Sequence, residues 1–180
     1  MHWDFWPKVR QGAVGFAVVA NSAESLASIR GGARSADGLS NLNGRDLAAA
    51  LDGQTLQSTK IAQGIKNGDI KVSVLGDELF ERMVGKPDEV AAAIGNKIYL
   101  RRSSSSLVSD TVHEGTHALD YLNGFGLNST KTTWQWEKRA FFYERQFQLS
   151  TGAKPEFNSS SDMMFHIWSN YKNDVFNPYP

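Results

Sequence analysis

Apolar residues change their spacing several times along this chain, and each change marks an element. From Leu42 to Leu51 they recur at helical intervals in an Ala-rich stretch, with Asn41 or Asn43 placed to cap it. Thr55–Lys66 reads as a second helix, stopped by Asn67-Gly68. The period then falls to two. Asp69–Leu75 alternates polar and apolar, the pattern of a half-buried strand. Asp77–Val84 reads as a short helix with an acidic first turn. Glu89–Ile94 and Lys97–Arg101 flank Gly95-Asn96 and read as a hairpin. A polar run, Ser103–Ser106, is placed to cap a helix over Leu107–Leu122, which Asn123-Gly124 ends. After a loop at 124–130, an aromatic-rich helix is expected over Lys131–Leu149. A last helix is expected over Ser159–Asn170, capped by Ser160 or Ser161, and the end at 177–180 is irregular. The expected class is α+β, with a small antiparallel or mixed sheet against which helices pack.

Residues 1–35 differ from the rest of the chain. They hold Trp3, Trp6, an apolar run at Ala13–Ala20 and the Gly31-Gly32 break. They read as an N-terminal segment or linker, docked on a domain over residues 36–180. The apolar run has eight residues, far short of the roughly 18 that span a bilayer, so no membrane span is expected. A total of 180 residues suits about one domain. Lys+Arg and Asp+Glu are 19 each, and this balance disfavours a dedicated nucleic-acid binder. Cysteine is absent, which excludes disulfides, thiolate metal sites and a Cys nucleophile. A metal must then be held by His, Asp, Glu or water.

One motif carries chemistry. His113-Glu114-Gly115-Thr116-His117 is HExxH, inside a predicted helix. At 3.6 residues per turn, i and i+4 share a face, so two imidazoles can hold one ion at about 2.0–2.1 Å each. Glu114 points roughly 100° round the helix. There it stands beside the ion and can take a proton from water. The plain alternative is a helix with polar residues on a solvated face.

The third ligand must come from elsewhere. The metzincin continuation fails, because Leu119 and Asn123 occupy its Gly and His positions. A glutamate on the next helix fits better. Glu137 is followed one turn later by the small Ala140, which lets two helices approach closely. Glu144 competes from two turns further along the same face. Either could instead be a surface charge paired with Lys138, Arg139 or Arg145.

HExxH followed by E-x-x-A on the next helix resembles the gluzincin branch of the zincin metallopeptidases, over about residues 69–150. The resemblance implies a zincin-like fold in which a small sheet packs against the HExxH helix and the glutamate helix. It implies a Zn2+ ion on His113, His117 and Glu137, with Glu114 as general base for hydrolysis of a protein or peptide substrate. The compact size resembles metallopeptidase domains of bacterial polymorphic toxins and injected effectors. That implies a secreted or injected protein with a cognate immunity or inhibitor partner. The rival class is a non-catalytic zinc-binding interaction module that keeps the fold. The strand Lys97–Arg101 is expected at a sheet edge, where Tyr99 and Leu100 would pair with an extended substrate. Asp120 lies on the ligand face and is expected to orient an imidazole. His166, Tyr171 and Tyr143 are candidate donors to the oxyanion formed during hydrolysis.

Overall fold

The computed structural model describes residues 42–125 and 133–172. The expectations for 1–35, for Ala13–Ala20, for most of the 124–130 loop and for 177–180 lie outside the described residues. Within them the chain is α+β, with six helices and one three-stranded mixed sheet.

The first two helices are α1 (Gly44–Leu51) and α2 (Leu56–Asn67). Asn43 caps α1, its side chain accepting from the Arg45 and Asp46 backbone N–H groups. Thr55 stands outside α2 as its cap and forms a capping box with Ser58. Gly68, at φ 82°, stops α2 in a conformation that favours glycine. Then come β1 (Lys71–Leu75), α3 (Asp77–Val84), β2 (Ala91–Ile94) and β3 (Lys97–Arg101). The hairpin forms as expected, with Ile94 opposite Lys97 across Gly95-Asn96.

The sheet order is β1-β3-β2, with β1 parallel and β2 antiparallel to β3. This corrects one expectation. Lys97–Arg101 is the central strand, paired on both sides. Its backbone therefore offers no edge to an extended substrate, and Tyr99 and Leu100 cannot act that way. Their burial has a simpler cause: Ile98, Tyr99 and Leu100 sit in the middle of the sheet.

Next come α4 (Leu107–Leu122), α5 (Thr133–Thr151) and α6 (Ser160–Tyr171). The serines before α4 do not cap it as expected. Ser104 and Ser106 give their hydroxyl protons to the carboxylate of buried Asp110, at 2.5 and 3.0 Å. No side chain caps the backbone there. At α6 the cap is Ser159, whose Oγ accepts from the Asp162 backbone N–H, rather than Ser160 or Ser161.

The main core joins α1, α2, the sheet and α4 through Leu47, Leu51, Ile61, Ile98, Leu100 and Val112. A second cluster joins α5 and α6 through Phe141, Met163, Ile167 and Tyr171. Helix α4 lies between, packed against α2, both hairpin strands and α5. Its close approach to α2 depends on Gly115. A Cβ there would stand 2.6 Å from Ile61 Cγ2, well inside contact distance. Because α4 is covered on nearly every side, His113 and Glu114 are buried although they are polar, and His117 is partly exposed.

Candidate metal centre

Helices α4 and α5 bring His113, His117 and Glu137 together. One ligand atom from each lies within 4.8 Å of the others. His113 Nε2 is 3.2 Å from Glu137 Oε2, and His117 Nε2 is 3.6 Å from Glu137 Oε1. Two atoms bound to a tetrahedral zinc at about 2.0–2.1 Å stand about 3.3 Å apart. The two spacings to Glu137, one to each carboxylate oxygen, are near that edge. Glu137 and Glu144 are both buried, so neither is the surface charge that a lone glutamate usually is.

The sequence left Glu137 and Glu144 as competitors, and the structure places them differently. Glu144 Oε2 meets His113 Nδ1 at 3.0 Å, on the side of the ring away from Glu137 and His117. Its other oxygen accepts from Gln148 Nε2 at 3.1 Å. Glu137 joins the cluster, and Glu144 stands behind an imidazole. For that outer position the sequence pointed to Asp120. Asp120 instead takes both arms of the Arg139 guanidinium, at 3.0 and 2.9 Å, and ties α4 to α5. Arg139 in turn lies over the Phe125 and Tyr143 rings. Burial and this pairing explain why Asp120 serves packing.

Glu114 stands beside the cluster. Both its carboxylate oxygens are buried without a hydrogen-bond partner, and so is His117 Nδ1. Thr133, one turn before Glu137 on α5, also has a buried hydroxyl with no hydrogen-bond partner. Buried polar atoms are nearly always paired, so the orphaned Glu114 oxygens and His117 Nδ1 at this cluster fit a site built for a further group. Three protein ligands from His and Glu also suit zinc and leave a position open. The surroundings are closed: His113 and Glu114 are 1% exposed and Glu137 is 3% exposed. The His117 side chain, at 14%, is the most open of the three.

The electrostatics arise from that burial. Desolvation works to lower His113, but hydrogen bonds to Glu137 and Glu144, with the charges of Glu114 and Glu137, outweigh it and push His113 well above the usual range. Desolvation raises the Glu114 carboxyl against the opposing charges of His113 and His117. Burial also works to raise Glu137, yet the His117 charge and the bonds to the two imidazoles hold it down at about 2. These contacts favour the protonated form of His113.

The pH dependence has a definite sign. A raised His113 lends stability that is complete below about 6.5 and is lost as pH climbs through its folded value. Ionising buried Glu114 adds a penalty in the same direction. Glu137 acts at the other end, losing its contribution as pH falls toward about 2. The chelator-treated protein is therefore expected to melt at lower temperature at pH 8.5 than at pH 6. A flat melting profile over that range would count against the buried, charged His113.

The remaining candidates lie elsewhere. His166 and Tyr171 are on α6, with the Phe141 ring between His113 and His166, at 4.5 and 5.7 Å respectively. Tyr171 is buried in the α5–α6 cluster. Tyr143 packs on the main core beneath Arg139. The residues that sequence reasoning passed over are Gln148 and Thr133. Their signal was spacing, since Gln148 is one turn after Glu144 and Thr133 one turn before Glu137.

No helix among the described residues is long and apolar enough to cross a membrane. Comparison with protein-family models, with curated proteins and with solved structures finds no match.

Proposed function

We propose that this chain is a zinc-dependent metallopeptidase of gluzincin type, with a zincin-like fold. The observation that carries the reading is the buried cluster of His113, His117 and Glu137, with the unpartnered Glu114 carboxylate beside it. A zinc ion bound there would supply Lewis-acid polarisation of the scissile carbonyl and of the attacking water. His113 and His117 offer Nε2, and Glu137 gives one oxygen to each imidazole's side of the cluster. Glu114 accepts the proton of the attacking water and returns it to the leaving amine. Its position suits that task, because both carboxylate oxygens are buried beside the cluster with no other hydrogen-bond partner. Glu144 accepts the Nδ1 proton of His113 and so keeps Nε2 free of its own proton for the metal.

As a bacterial toxin or effector module, the domain would act on a protein of another cell and be restrained by a cognate immunity protein. The rival reading, a zinc-binding interaction module without catalysis, draws on the closure of the site. The test is joint. Purified protein is expected to hold one zinc per chain by elemental mass spectrometry and to cleave an unfolded protein substrate, with cleavage stopped by chelator and restored by zinc. One bound zinc with no cleavage of any protein substrate would favour the interaction module. No zinc, even after its addition, would remove both readings.

A further inference from the structure

The turn between α5 and α6, residues 152–159, is fastened onto α5 by two polar contacts. The Gln148 side-chain oxygen accepts from the Glu156 backbone N–H at 3.3 Å, and the Arg145 guanidinium donates to the Phe157 carbonyl. From this turn two routes lead to His113. The polar route runs from Gln148 Nε2 to Glu144 Oε1 at 3.1 Å, then from Glu144 Oε2 to His113 Nδ1 at 3.0 Å. The apolar route runs through ring edges, Phe157 to Phe141 at 5.5 Å and Phe141 to His113 at 4.5 Å. Gln148, Glu144, Phe141 and His113 are all buried.

The geometry gives these contacts a direction. Glu144 approaches Nδ1, while Nε2 faces Glu137. The polar route therefore orients the ring without competing for the atom that meets the metal. A glutamate side chain has several rotamers, and a bond at each carboxylate oxygen narrows them. Gln148 supplies one such bond. It donates to the oxygen that His113 does not use, and its own oxygen is held by the turn. A glutamine suits this place because one end donates and the other accepts.

Resting on the metallopeptidase reading, we propose that the α5–α6 turn sets the orientation of the zinc-binding His113 imidazole, with Gln148 as the positioning residue that transmits it through Glu144. Outer partners of metal-bound imidazoles are worth about 10–100-fold in metal affinity, and Gln148, one bond further out, is expected at about the lower figure.

The experiment measures zinc dissociation constants by chelator competition for the wild type, Gln148→Met and Gln148→Glu, with far-UV circular dichroism of each metal-free form. Gln148→Met removes both bonds. Gln148→Glu can still accept from Glu156 but can no longer donate to Glu144 while ionised, so it isolates the link that matters. Both variants are expected to bind zinc about tenfold more weakly while keeping the wild-type spectrum. Zinc affinity within twofold of wild type in both would overturn the proposal and leave the metallopeptidase reading standing. A wild type that binds no zinc overturns both. An independent measurement needs no variant: in the zinc-loaded wild type, the His113 Nδ1 proton is expected to be visible by NMR and slow to exchange. Its loss to solvent within the dead time would overturn the proposal even if neither variant folds.

Discussion

Replacing Glu114 with glutamine is expected to lower peptide hydrolysis by about 10²–10⁴-fold while leaving one zinc per chain. The side chains have the same shape, and Glu114 is not one of the three clustered residues. What changes is proton chemistry. A carboxylate accepts the proton of the attacking water, and an amide cannot. In the wild type both Glu114 oxygens lack a partner, so an amide breaks no existing bond. Retained zinc with hydrolysis near zero, measured on the same preparation, is the expected pair of results. Full activity would remove Glu114 from the mechanism. Loss of zinc would mean that the substitution acts on the ligand set instead. If the chain is a toxin, the same substitution is also expected to relieve growth arrest in cells that express it.

The second large effect separates the two glutamates of α5. Glu137→Ala is expected to abolish zinc retention through dialysis, since Glu137 alone of the pair approaches both imidazoles, at 3.2 and 3.6 Å. Glu144→Ala is expected to weaken zinc by about 10–100-fold and to leave it bound at saturating zinc, because Glu144 orients His113 from behind. Elemental analysis before and after dialysis distinguishes the two. The opposite ranking would make Glu144 the ligand and Glu137 the outer partner. The class of site would survive that exchange, but its geometry would not.

Local chemistry is what the sequence by itself determined. Helical period, the Gly95-Asn96 turn and the glycine after α2 placed nearly every element within a residue or two, because caps, turns and amphipathic spacing act over a few neighbours. The i, i+4 geometry of His113 and His117, with Glu114 between them, was legible for the same reason, since one helix carries all three. Contacts across elements were not legible. Glu137 and Glu144 lie two turns apart on one face of α5, and both were plausible ligands until the crossing of α4 and α5 set which one reaches Nε2. Asp120 lay on the ligand face of α4, but a bidentate arginine from α5 took it. The strand Lys97–Arg101 looked like an edge because nothing local says which hairpin strand a distant β1 will join. Pairing with β1 put it in the centre. The tertiary structure also decided the burial that raises Glu114 and the contacts that raise His113 and hold Glu137 low. Desolvation and charge depend on everything within reach, whereas spacing along a helix depends only on the helix.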